Sequence, residues 1–254
     1  MMSNPTFKLA SYNVHGWSDA NYEENCERVA ALIQKYDIDL VGFQESQGDD
    51  FGKVKSLLPA HEYVVDRTWN TSVLSRFPIC DVTPGAKKFG GVRHNVVTSK
   101  IGNVLVHIVN VHFNHVSEER RLHELSYLKK TLQPLLSDAR ALQIWLGDFN
   151  ALTREDYNLE EWNNLSLVRA NNRWESPQVE FMNHFRGELG LIDIWAECGS
   201  PRPLGTCRFD TRIDYILAST SFLAHFNIIK FDIVDSNASD HRMIYITVQP
   251  KIAT

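Results

Sequence analysis

The chain has 254 residues, of which 43% are hydrophobic, 11% aromatic and 22% charged, enough for a large core and unlike a disordered or low-complexity chain. Its 26 basic and 31 acidic residues leave a net charge of −5, which excludes a general basic coat for nucleic acid but not a local basic groove.

Taken in order, Thr6–Val14 is predicted as a strand. Tyr22–Tyr36 has one apolar face (Cys26, Val29, Leu32, Ile33, Tyr36) and is predicted as a helix, with Glu23 and Glu24 in its first turn. Ile38–Phe43 is an apolar run without helical period, so a buried strand. Shorter strands are expected at Glu62–Val65, Ser72–Ser75 and Asn95–Lys100. Strict alternation over Val104–His112 puts Val104, Val106, Ile108, Asn110 and His112 on one strand face. Ser117 or a neighbour should cap a helix burying Leu122, Leu125, Leu128, Leu132, Leu135 and Leu136. Leu142–Leu146 is another buried strand. Polar Arg154–Glu188 reads as loop and helix on the outside. Ile213–Ala218, Ile228–Val234 and Met243–Val248 return to strands. No composition break divides the chain, so one domain over residues 1–254 is expected, with two packed sheets covered by helices.

The N-terminus lacks the basic and apolar regions of a leader, and no apolar run approaches the ~20 residues of a membrane span. The four Cys form no C-x-x-C pair, so neither a zinc ribbon nor a disulfide framework is expected. These features predict an intracellular protein, cytoplasmic or nuclear, with no stable membrane association. No protein partner is inferable.

The polar residues that interrupt the strand pattern share a place. Asn13 follows LASY, Gln44 and Glu45 follow LVGF, His112 follows HIVNV, and Asp148 and Asn150 follow IWLG. Asp214 sits in RIDYIL, and Asp240 and His241 precede MIYITV. Any one alone is better read as a turn or cap residue. If the five ends meet, they make a pocket of carboxylates and imidazoles. Clustered carboxylates repel unless a hard cation such as Mg²⁺ or Mn²⁺ neutralises them. A spare carboxylate then activates water, and imidazoles meet phosphate oxygens. Without a Ser or Cys nucleophile, direct attack of water on a phosphate ester is expected.

Together SYNVHG (11–16), GFQE (42–45), SVLSRFPI (72–79), NVH (110–112), GDFN (147–150), RIDYIL (212–217) and SDH (239–241) resemble, in order, the endonuclease/exonuclease/phosphatase superfamily related to DNase I. The resemblance covers residues 7–248. It implies a four-layer α/β sandwich: two packed, mostly antiparallel sheets flanked by helices. It also implies an Mg²⁺- or Mn²⁺-dependent phosphoesterase. Glu45 resembles the principal metal ligand, with Asn13 and Asp240 close to metal or phosphate. Asp148 resembles the residue that positions or deprotonates water, with Asn150 the amide beside it. His241 resembles the imidazole on the scissile phosphate and Asp214 its carboxylate partner. His112 resembles a second phosphate-side imidazole, a candidate general acid. His15, where abasic-site enzymes carry Asp, departs from that branch, and His at 112 looks more like the DNase I, deadenylase and tyrosyl-DNA phosphodiesterase branches.

Weaker candidates surround this set. His15, His115 and Arg76 are possible phosphate or substrate contacts, although Arg76 is more readily a surface ion pair and His115 a loop residue. Trp17, Trp69 and Trp174 could stack on bases, with packing the commoner use. Lys87, Lys88 and Arg93 lie on a Gly-rich loop that could touch a substrate backbone. A nucleic acid substrate is the leading expectation. The alternative is a small-molecule or lipid phosphoester, and a non-enzymatic scaffold is disfavoured because the acidic and His residues all stand.

Overall fold

Residues 5–65, 70–83, 92–198 and 205–251 are described by the computed structural model of the chain. Among them run β1 (Phe7–Asn13), α1 (Cys26–Lys35), β2 (Leu40–Gln44), α2 (Asp50–Leu57), β3 (Tyr63–Val65), β4 (Thr71–Ser75), β5 (Ile79–Thr83), β6 (Arg93–Ile101) and β7 (Val104–His112). Then follow α3 (Glu118–Thr131), α4 (Gln133–Leu136), β8 (Gln143–Asp148), α5 (Leu159–Asn171), α6 (Glu180–Leu189), β9 (Leu191–Asp193) and α7 (Ile194–Glu197). β10 (Asp214–Ser219), α8 (Thr220–His225), β11 (Phe226–Val234) and β12 (Met243–Pro250) complete the order.

The strands form two six-stranded sheets, β11-β12-β1-β2-β4-β3 and β5-β6-β7-β8-β10-β9. Each has one parallel pair near its middle, β1 with β2 and β7 with β8; the other pairings are antiparallel. Alternation then sorts the side chains into three cores. Leu9, Leu40, Ile108, Ile144, Leu146, Ile216, Ile244 and Ile246 pack between the sheets. Ala10, Tyr12, Val41 and Phe43 face α1 and α2 across the first sheet. Val109, Val111, Trp145, Tyr215 and Leu217 face α3 and α6 across the second. The result is the expected α/β sandwich.

The inner faces are graded along their length. β1 runs Leu9–Ser11–Asn13, β2 Leu40–Gly42–Gln44, β7 Ile108–Asn110–His112 and β8 Ile144–Leu146–Asp148. Antiparallel β10 runs the other way, Asp214–Ile216–Ala218, with Asp214 opposite Asp148. Apolar packing therefore fills one end of the inter-sheet space and polar groups the other. Between them lies a buried amide layer. Gln44 Nε2 donates to Asn110 Oδ1 at 2.7 Å, and Asn110 Nδ2 donates to the carbonyls of Phe43 and Ser72, both at 3.0 Å. These bonds satisfy polar groups that would otherwise be costly to bury.

Two glycines allow the backbones to approach. A Cβ on Gly42 would lie 2.2 Å from Leu146 Cδ1, and one on Gly147, at φ +152°, 2.0 Å from the Val111 carbonyl oxygen.

The structure refines several expectations. The first helix starts at Cys26, not Tyr22: Tyr22 has φ 64°, Ser18 bridges Glu24, and Glu24 accepts from the Cys26 N–H just outside the helix. Ser117 caps α3 by accepting from Arg120 N–H, and Leu125, Leu128 and Leu132 are buried; Leu122, Leu135 and Leu136 are only partly so. Arg154–Glu188 carries two helices, α5 opened by a capping box of Asn158 and Glu161. The strands β5 and β9 and the helix α2 were not expected. Trp69, Lys87, Lys88, Gly85, Gly90, Gly91 and Arg202 lie outside the described residues. The four cysteines are free. Among the described residues, no helix is long and apolar enough to cross a membrane.

Candidate active site

The polar end of the inter-sheet space brings together Asn13 and Glu45 from the first sheet with His112, Asp148 and Asp214 from the second. His241 joins them from the turn before β12. Asp148 Oδ2 is the hub. Asn13 Nδ2 donates to it at 3.0 Å, His112 Nε2 lies 3.7 Å away and His241 Nε2 3.9 Å. Asn13 Nδ2 also donates to Glu45 Oε1 at 3.1 Å, and His112 Nε2 is 3.8 Å from that oxygen. His241 Nδ1 bonds Asp214 Oδ2 at 3.0 Å.

The backbone aims these groups. Glu45, the residue after β2, and Asn150, two residues after β8, take left-handed φ values of 54° and 49°, a conformation that few residues other than glycine and asparagine hold. Glu45 is fixed by its carbonyl accepting from Gly16 N–H at 3.0 Å. Asn150 donates its N–H to Asp148 Oδ1 at 2.9 Å and its Nδ2 to the Phe113 carbonyl at 3.1 Å. It therefore orients Asp148.

Burial and charge set the protonation states. Burial, with Asp214 beside it, holds the Asp148 carboxyl above the ordinary carboxylate range. Burial would lower His241, but the Asp214 carboxylate overcomes it through charge and hydrogen bond, so the imidazole pKa is well above its usual value. His112 goes the other way. Burial, then the Arg93 charge, push it down to about 3. Burial therefore favours the neutral imidazole at His112, so as a candidate general acid it would donate from a neutral ring.

Asn13 Oδ1 accepts from His15 N–H at 3.0 Å, and its Nδ2 donates to both Glu45 and Asp148, so the amide sits between the two carboxylates. His15 and Asp240 flank the cluster, His15 Nδ1 lying 3.8 Å from Asp240 Oδ1. His115 is exposed on the loop after β7 and, among the described residues, makes no side-chain hydrogen bond to the cluster. Arg76 lies elsewhere. It donates to Asp37 and Asp39 before β2, whereas Glu45 follows β2, roughly 20 Å away at ~3.3 Å per residue. Trp17 is buried against Phe43 and Phe51.

Arg93, expected on a loop that could touch a substrate backbone, instead begins β6 directly opposite His112, with Nη1 3.3 Å from His112 Nδ1. A second feature escaped the sequence reading. Phe209 is half exposed beside the half-exposed Trp174, ring centroids 4.8 Å apart, with the Arg208 guanidinium 4.8 Å over Phe209. This ledge adjoins the cluster, since Arg208 N–H donates to the Asp240 carbonyl and Cys207 bridges His241. Arg212 is structural: its guanidinium donates to both Asp156 and Asp193 in the interior.

The donor set fits a divalent cation. Glu45 and Asp148 carboxylate oxygens lie within 4.8 Å of each other and of a His112 nitrogen, as do those of Asp148 and Asp214 with a His241 nitrogen; Asp240 belongs to neither group. Asp214 Oδ1 and Asp240 Oδ1 are buried without a hydrogen-bond donor, and oxygen-rich sites suit hard cations.

A family model described as the Endonuclease/Exonuclease/phosphatase family matches residues 10–241. No curated protein matches in sequence. Several solved structures are similar. A mannosyl-6-phosphatase of Bacteroides thetaiotaomicron VPI-5482 superposes with a TM-score of 0.70 at 16% identity, over 95% of this chain and 99% of that one. An AP endonuclease of Archaeoglobus fulgidus gives 0.69 at 16%, over 94% and 98%. D. rerio TDP2, complexed with single strand DNA product, gives 0.69 at 13%, over 97% and 100%. At such identities the likeness is one of fold.

Proposed function

The chain belongs to the endonuclease/exonuclease/phosphatase family, and on that premise we propose that it hydrolyses a nucleic acid phosphodiester by in-line attack of water, assisted by Mg²⁺ or Mn²⁺. The observation that carries this reading is the Asp148 hub between two imidazoles of opposite character. Water is the nucleophile because the hydroxyl and thiol flanking His241 are occupied: Ser239 Oγ donates to the Asn13 carbonyl and Cys207 Sγ bonds Thr211.

Glu45 and Asp148 would hold the cation, with the unpartnered oxygens of Asp214 and Asp240 adding negative charge around it. When bound, it neutralises these carboxylates and polarises a phosphoryl oxygen. Asp148, its affinity for a proton raised, takes the proton from the attacking water through Oδ2. Asn150 fixes its other oxygen, so the accepting atom is defined. His241, kept cationic by Asp214, directs Nε2–H at the developing phosphoryl charge. Asn13 keeps Glu45 and Asp148 apart.

Trp174 and Phe209 support nucleic acid, because an exposed aromatic ledge beside the carboxylate and imidazole cluster suits base stacking. The net charge of −5 favours a second reading, a smaller phosphoester. The test is product analysis on single-stranded DNA, single-stranded RNA, abasic duplex, 5′-tyrosyl oligonucleotide and sugar phosphates, with Mg²⁺ and with EDTA. Metal-dependent cleavage of an oligonucleotide, lost in His241→Ala, supports the proposal. Turnover confined to sugar phosphates refutes it in favour of the second reading.

A further inference from the structure

Arg93 has no part in the mechanism above, yet it touches the site more closely than any other cation among the described residues. It is exposed on the first residue of β6, directly across the antiparallel ladder from His112. Directly opposed residues share a face, with Cβ atoms ~4.5–5.5 Å apart. The Arg93 guanidinium reaches His112 Nδ1 at 3.3 Å. A guanidinium donates and never accepts, so Nδ1 must present its lone pair. With Nδ1 accepting, the ring proton sits on Nε2. That nitrogen faces Glu45 Oε1 at 3.8 Å and Asp148 Oδ2 at 3.7 Å.

We propose that Arg93 is a positioning residue that fixes the tautomer of His112, so that the imidazole works as an Nε2–H donor toward the reacting phosphate and its leaving oxygen. The catalytic half of this statement rests on the function proposed above; the tautomer half does not. A carboxylate in place of Arg93 would accept from Nδ1–H and, on a neutral ring, leave a bare lone pair on Nε2. That lone pair would face two carboxylate oxygens and would repel a phosphate oxygen. The residue opposite His112 thus selects which edge of the ring donates.

The test uses long-range proton–nitrogen NMR of the imidazole rings in the full chain, with Mg²⁺ and without substrate. It compares wild type with Arg93→Lys, a pure donor, and Arg93→Glu, a pure acceptor. Both changes are at an exposed position. At a pH above the His112 pKa of each protein, where the ring is neutral, His112 is expected as the Nε2–H form in wild type and Arg93→Lys, and as Nδ1–H in Arg93→Glu. On the substrate found by the panel, kcat should fall at least tenfold in Arg93→Glu and less than threefold in Arg93→Lys, with KM changing less than kcat. Nε2–H retained in Arg93→Glu, or Nδ1–H in wild type, overturns the tautomer assignment whatever the activity. A flipped tautomer with unchanged kcat overturns the catalytic half alone. If no substrate on the panel turns over, the function fails while the NMR still decides the tautomer.

Discussion

Adding one methyl group at Gly42 tests how the two sheets hold the site between them. In Gly42→Ala the new Cβ would lie 2.2 Å from Leu146 Cδ1 and 2.9 Å from Asn110 Cγ. Ordinary contact begins near 3.4 Å, so the first deficit is about 1.2 Å. Leu146 is fully buried and has little room to swing away. An off-rotamer leucine costs about 0.5–1.5 kcal/mol, and overpacking a filled core about 1–3 kcal/mol. Asn110 is held by three hydrogen bonds in the amide layer. If it yields instead, each buried group left unpaired costs about 1–3 kcal/mol. The expected loss is therefore about 2–4 kcal/mol in urea denaturation. Trimming Leu146 gives the decisive control. Leu146→Ala alone should cost about 2–5 kcal/mol by leaving a cavity. The double variant should be more stable than the sum of the two losses by at least ~1 kcal/mol, because the new methyl occupies part of that cavity. Additive losses, or a Gly42→Ala protein within ~0.5 kcal/mol of wild type, would refute the close approach inferred here.

Three other predictions follow from the site and its supports. Asp214→Asn should lower kcat by about 10²–10⁴-fold, because His241 loses the charge that keeps it protonated; NMR titration should find the His241 pKa lowered, and an unchanged value would contradict the pairing. Burial raises Glu124 to about 7 from an ordinary 4.5. Its contribution to stability is therefore full below the unfolded value and is lost as pH rises through about 7. Glu124→Gln keeps an acceptor for Asn114 N–H and should flatten the fall in unfolding free energy from pH 5 to 7.5; parallel curves would count against it. Mg²⁺ at about 100 times its Kd should stabilise the folded chain by about 2.7 kcal/mol. Glu45→Gln should need much more Mg²⁺ for the same rise in melting temperature, and an identical dose dependence would remove Glu45 from the metal site.

Much of this was legible in the sequence because the chemistry sits where the strand period breaks. Asn13, Glu45, His112, Asp148 and Asp214 each end or begin an apolar run, and a polar group there needs a reason that periodicity exposes. The same signal could not separate site from support. Gln44 and Asn110 look like site residues and instead form the amide layer beneath it. The pairing of Arg93 with His112, and Phe209 as a site feature, were invisible because strand register and loop packing, not local pattern, bring them there. β5 escaped because most of its residues are exposed. α5 buries none of its residues and carries no apolar stripe to announce it.

The left-handed backbone at Glu45 and Asn150 has a consequence for how such a chain changes under selection. Glycine adopts that conformation freely, whereas other residues pay about 1 kcal/mol or more. A library sorted only for thermal tolerance should therefore accumulate glycine at 45 and 150, and each such gain would delete a functional side chain. Persistence of Glu45 and Asn150 in a lineage is then a record of pressure on chemistry rather than on folding, readable at two positions from sequences alone.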